Sequence, residues 1–151
     1  MGRALICDTG ALFDYLIESS PDHLAFRRAV DAAQARYIPG LVLSELDYFL
    51  RDERPAMRAL VDDIARGAFI YAPPTDAQLG RAMEIDAQYP ELGLGLVDAS
   101  VVALTEELGL ARLATRDVHD FTAVRLGDGR SFELVVIPTR TGRRRTRERR
   151  R

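Results

Sequence analysis

The sequence predicts an α/β fold in which a parallel sheet is covered by helices on both faces. Two observations carry this expectation. Short apolar runs, each the length of one buried strand, alternate with amphipathic helical patterns along the chain. Pro and Gly stand where helices would start and stop.

The first strand falls at 4–8, where Ala4, Leu5, Ile6 and Cys7 end abruptly in Asp8. A helix at 10–18 follows, its apolar pattern set by Ala11, Leu12, Tyr15 and Leu16. Pro21 suits the first turn of a helix at 21–35, which leads to a brief strand at 36–39 ("RYIP"). Helices at 41–52 and 55–66 come next, with Pro55 in the first turn and Gly67 just past the end of the latter. A strand at 69–72 ("FIYA") precedes a helix at 76–88, closed by Tyr89-Pro90. The "GLGL" stretch, Gly93 to Leu96, links it to a helix at 96–108 that Gly109 stops. Strands at 112–115 and 133–137 complete the pattern, separated in part by the "GDG" loop, Gly127 to Gly129.

A chain of 151 residues, 47% of them apolar, suits one domain with a real core, and no repeat or interdomain linker interrupts it. The single cysteine excludes an internal disulfide framework, and its place in the first apolar run reads as a small buried hydrophobe. No apolar run approaches the roughly 20 residues of a membrane span. The N-terminal run breaks at Asp8, too early for a signal peptide. A cytoplasmic protein without membrane contact is expected. The net charge of −2 conceals a division. Residues 140–151 hold eight arginines and one glutamate, a net +7, whereas residues 1–139 hold 13 arginines against 22 acids, a net −9. The expected organisation is therefore a domain over 1–139 and a disordered basic tail over 140–151. Every basic residue other than histidine is Arg, which reflects genome composition more readily than chemistry.

The informative carboxylates face the buried side of their elements. Glu45 lies three residues after Val42 and four before Phe49, along the apolar stripe of its helix. Asp47 and Asp52 fall away from that stripe. Asp98 precedes Val101 and Val102 by three and four residues, which turns it inward in the first turn of its helix. A helix N-terminus favours an anion by about 0.3–1 kcal/mol, so an N-terminal Asp alone could be a surface feature; the inward direction argues otherwise. Asp8 and Asp117 each follow a predicted strand, where open α/β sheets bind ligands. Arg116 adjoins Asp117 but in extended chain projects to the opposite face.

Buried charges pair or bind metal. If the four acids meet, like charges about 4 Å apart repel by about 4 kcal/mol at an effective dielectric near 20. A divalent cation reverses that sign, and all-oxygen ligation selects Mg²⁺ or Mn²⁺ over zinc. By contrast, the adjacent acids Asp62-Asp63 and Glu106-Glu107 diverge around their helices and read as solvated. Met57 and Met83 read as core filler.

The stretches "LICDTGAL", "VLSEL", "GLGLVDASVVALTEELG" and "LATRDVHDF" resemble the four acidic motifs of PIN-domain ribonucleases, in order, over most of residues 4–137. Within that group the resemblance extends to the VapC toxins of bacterial toxin–antitoxin pairs. It implies a three-layer α/β/α sandwich around a short parallel sheet. It also implies Asp8, Glu45, Asp98 and Asp117 as metal-binding carboxylates of an Mg²⁺- or Mn²⁺-dependent endoribonuclease, with an RNA substrate, a cognate antitoxin and a homodimer. Thr115 matches a hydroxyl that supports such sites, and Thr9 could bond a water on the ion. Asp120 occupies a position where relatives often carry His or Asp, which makes it a further ligand, a supporting acid or a helix cap. His119 has no special role expected.

The tail arginines, including Arg143, Arg144 and Arg145, and Arg116 are candidate RNA contacts, with salt-sensitive binding as the signature. Competing readings remain: a catalytically silent binding module of the same fold, or a nuclease acting on DNA. A haloacid-dehalogenase-type phosphatase would want a second Asp where Gly10 stands. A dinucleotide binder would want its glycines after the first strand.

Overall fold

The computed structural model describes residues 3–140. Five parallel strands form one sheet in the order β3-β2-β1-β4-β5. They are β1 (Ala4–Cys7), β2 (Ala35–Pro39), β3 (Ile70–Ala72), β4 (Arg112–Ala114) and β5 (Glu133–Leu134). Seven helices accompany them: α1 (Thr9–Leu16), α2 (His23–Asp31), α3 (Gly40–Phe49), α4 (Arg54–Ala65), α5 (Asp76–Gln88), α6 (Gly95–Leu108) and α7 (Val118–Ala123). The architecture is the expected α/β/α sandwich.

β1 is central, and Leu5, Ile6 and Cys7 are fully buried, as a strand covered on both faces requires. Burial pushes the Cys7 thiol up to about 12, so it is inert packing. The chain runs outward from β1 to β2 and β3, then returns across to β4 on the other side of β1. That reversal creates a switch point between β1 and β4, where crevices open beyond the carboxyl ends of parallel strands.

Helix ends follow local chemistry. Thr75 caps α5 in a reciprocal capping box with Gln78. Gly109 ends α6 in the left-handed conformation at φ 66°. At the β2–α3 corner, a Cβ on Gly40 would lie 2.7 Å from the Pro73 Cα and 2.9 Å from the Pro74 Cδ. Only glycine lets α3 start that close to the Pro73-Pro74 backbone, and α3 carries Glu45.

Several expectations need correction. Met83 is exposed on α5 rather than in the core, whereas Met57 is buried as expected. α7 was not anticipated: six residues are too few to show a helical period. The last strand shrinks from five residues to two, Val136 packing inward while Ile137 is 79% exposed. Exposed apolar side chains include Leu24, Tyr48 and Val61. Among the described residues no helix is long and apolar enough to cross a membrane. The predicted basic tail lies outside the described residues, apart from Arg140.

Candidate active site

The site forms at the switch point. The Asp8 N–H donates to the Ala114 carbonyl at 2.9 Å, which ties the end of β1 to the end of β4. Asp8 stands at the N-cap of α1, yet its side chain makes no capping bond. It turns to Thr115 instead, whose hydroxyl donates to Asp8 Oδ2 at 2.7 Å. The same hydroxyl accepts from the Asp117 N–H at 3.0 Å. One threonine thus links two acids that are far apart in sequence. Asp117 in turn caps α7, its Oδ1 accepting from the Asp120 N–H at 3.2 Å.

Asp98 reaches the same place from the first turn of α6, buried as its inward direction foretold. The start of that helix is held by Asp86, whose Oδ1 accepts from the Gly95 N–H at 2.9 Å. Among the described residues, Asp98, Asp117 and Asp120 present carboxylate oxygens that all lie within 4.8 Å of one another. Glu45 approaches from α3, and its charge raises the pKa of Asp8. The Asp8 charge does the same to Asp117. Five acids therefore share one negative edge.

The electrostatics register this crowding. Burial pushes Asp8 up to about 6, with Glu45 adding to the rise and the Thr115 hydroxyl and Thr9 N–H opposing it. Asp117 rises to about 7, chiefly from burial, then from its hydrogen bond with Asp120 and the nearby negative charges. Nor do Asp8, Glu45 or Asp117 form an ion pair with an arginine among the described residues; the arginine nearest in sequence, Arg116, binds Asp14 and Asp22.

Two buried oxygens test whether this donor set fits a metal. Asp8 Oδ1 and Thr9 Oγ1 have no hydrogen-bond partner among the described residues. A buried carboxylate oxygen left open in this way is costly without a ligand. Oxygen donors from several carboxylates suit a hard divalent cation of the Mg²⁺ or Mn²⁺ type. The residues fit such an ion.

Of the expected residues, Asp98 and Asp117 lie in the tight group with Asp120, Asp8 is tied to Asp117 through Thr115, and Glu45 acts on Asp8 through its charge. Asp120 comes nearer than a supporting acid must: it both carries the N–H capped by Asp117 and joins the group able to hold an ion. His119 is exposed and lies 3.1 Å from Asp120 through Nδ1. Arg116 differs from its expected place as an RNA contact, because its guanidinium is committed to Asp14, Asp22 and the Thr139 carbonyl. Arg143, Arg144 and Arg145 lie outside the described residues. Sequence reasoning missed the buried pair Asp14 and Asp22. Asp14 did carry a signal, since it lies three residues from both Ala11 and Ile17 and so faces inward like Glu45.

Comparisons with known proteins agree with this geometry. The family model for the PIN domain matches residues 5–125. Ribonuclease VapC26 of Mycobacterium tuberculosis is 33% identical over 138 residues, covering 89% of this chain and 100% of that protein. The fold is shared with M. tuberculosis VapC20, described as a sarcin-ricin loop cleaving toxin, at a TM-score of 0.65 and 18% identity over 72% of this chain and 86% of that one. It is also shared with a toxin–antitoxin complex from Klebsiella pneumoniae, at a TM-score of 0.63 and 21% identity over 80% and 92%. A third likeness is to VapBC2 from Rickettsia felis bound to a fragment of its promoter DNA, at 0.61 and 13% over 80% and 92%. The family match spans all five acids of the cluster, and the chain belongs to the PIN-domain family, in its VapC-like group.

Proposed function

We propose that this protein is a divalent-metal-dependent endoribonuclease and the toxin of a toxin–antitoxin pair. The observation that carries the reading is the convergence of five acids on one edge, with, among the described residues, a buried Asp8 oxygen left open and no arginine bound to Asp8, Glu45 or Asp117. The ribonuclease name of the relative from M. tuberculosis and the toxin–antitoxin assemblies among the fold neighbours support the class of substrate and partner.

In this reading Asp8, Glu45, Asp98, Asp117 and Asp120 hold one or two Mg²⁺ or Mn²⁺ ions. Such an ion supplies an acidified water and stabilises charge on the phosphate oxygens. The chain's own residues do the rest. Thr115 fixes the Asp8 carboxylate and the Asp117 backbone together, so both acids are aimed before substrate arrives. Asp117 in turn holds the first turn of α7, which sets Asp120. The arginines of the 140–151 segment, Arg143, Arg144 and Arg145 among them, would contact RNA phosphates and make binding fall with salt. A cognate antitoxin, a homodimer and a cytoplasmic location complete the proposal.

The test is cleavage of RNA, and of DNA of the same sequence, with and without Mg²⁺ or Mn²⁺. Wild type should cut RNA only with metal, and Asp8→Asn should lose at least about a hundredfold in rate. Equal inactivity of both proteins toward RNA would overturn the reading in favour of a binding module. Cleavage confined to DNA would overturn the substrate.

A further inference from the structure

We infer that Arg116 is a positioning residue for this site, acting through a buried clasp that reaches from the acid edge to the C-terminal segment. The inference rests on the metal-site reading above.

Arg116 stands between Thr115, the hydroxyl that joins Asp8 and Asp117, and Asp117 itself. Its side chain leaves in the opposite direction, and Nη1 donates to Asp14 on α1 and, at 2.7 Å, to Asp22 Oδ2 ahead of α2. Nη2 donates to the Thr139 carbonyl at 2.9 Å. Thr139 then answers Asp22 twice: its N–H donates to Oδ2 at 2.9 Å and its hydroxyl at 3.0 Å. All three charged side chains are largely buried, with relative exposures of 16% for Arg116, 6% for Asp14 and 9% for Asp22.

This arrangement does more than offset charge, since one guanidinium faces two carboxylates. The planar guanidinium bonds three separate segments, and a fork with fixed donors constrains orientation where an ammonium would not. Gly10 adds a steric constraint. A Cβ there would lie 3.0–3.2 Å from three carbons of the Arg116 side chain, so the arginine stem is pressed onto the first turn of α1. That turn begins immediately after Asp8. The backbone of residues 115–117 is therefore gripped from one side by the Thr115 hydroxyl and from the other by the clasp. Slackening the clasp would let Asp117 drift from Asp8 without removing any acid from the site.

The test uses the full chain and reads Mn²⁺ affinity by calorimetry, melting temperature, and kcat against KM on RNA. Arg116→Gln should raise the Mn²⁺ Kd by about tenfold or more and lower kcat, with KM for RNA unchanged. Arg116→Lys should recover part of the loss. Asp22→Asn, which loosens the clasp from its far side, should shift Mn²⁺ affinity in the same direction, and it decides the matter if the Arg116 variants do not fold. Wild-type Mn²⁺ affinity and kcat in Asp22→Asn and Arg116→Lys, with a lowered melting temperature alone, would make the clasp mere scaffolding and overturn the inference. A wild type that neither binds Mn²⁺ nor cuts RNA would overturn the site reading itself, and this inference with it.

Discussion

Two groups of buried and half-buried acids lie on either side of a single residue, Arg116, and the chain treats them in opposite ways. Asp14 and Asp22 receive its guanidinium. Among the described residues Asp8, Glu45 and Asp117 receive no arginine, and Asp98 and Asp120 crowd the same edge. In the first group burial raises both carboxyls, but the bonds from Arg116 and Thr139 leave Asp22 below its ordinary value; for Asp14 burial still outweighs the arginine. In the second group Asp8 and Asp117 climb to about 6 and about 7. An internal arginine partly offsets one cluster; in the proposed function the other would take its cation from solution.

The comparison can be broken from either side. The largest effect should come from Arg116→Met, which strands Asp14 and Asp22 as buried unpaired charges. Removing one partner of a buried pair costs about 3–5 kcal/mol, so chemical denaturation at neutral pH should show a loss of that size. A loss below about 1 kcal/mol would mean that the clasp is solvated in practice.

A pH series should give a smaller effect, of the opposite origin. Asp8 and Asp117 have native values above the 3.8 of an ordinary Asp, so the folded state holds protons that the unfolded chain releases. Stability therefore falls as pH rises from about 4 through 7. The metal-free melting temperature should drop by several degrees between pH 5.5 and 8, and Mn²⁺ should restore it mainly at pH 8, where the acids are charged. Flat melting across that range would show that neither burial nor the neighbouring charges raise these carboxyls.

The smallest change should come from Thr115→Val, which keeps shape and removes the shared hydroxyl. Two hydrogen bonds vanish and the Asp8 Oδ2 acceptor is left unpaired, for a loss of about 1–3 kcal/mol. Mn²⁺ affinity should fall by about tenfold with it.

What the sequence disclosed divides along the same line. Glu45 and Asp98 were legible because helix periodicity fixes side-chain direction, and Asp8 because an apolar strand ending in an acid is itself a signal. Asp120 was legible only as a position with several roles, since α7 is too short to announce which face it shows. The Arg116 clasp was hidden for another reason. Its acidic partners lie 102 and 94 residues away, and no local pattern encodes a contact closed by topology. Met83 misled because an apolar residue on a helix need not lie on its buried face, and α5 leaves part of its apolar surface in water.

The placement of β1 between β2 and β4 has a bearing on synthesis. Asp8 ends the first strand, but the strand that flanks it at the switch point begins only at Arg112, and the last acid of the cluster is Asp120. A chain that stops before β4 carries Asp8, Glu45 and Asp98 but lacks Thr115, which bonds Asp8, and the acids Asp117 and Asp120. The acid edge is therefore closed only once the chain has passed β4 and α7.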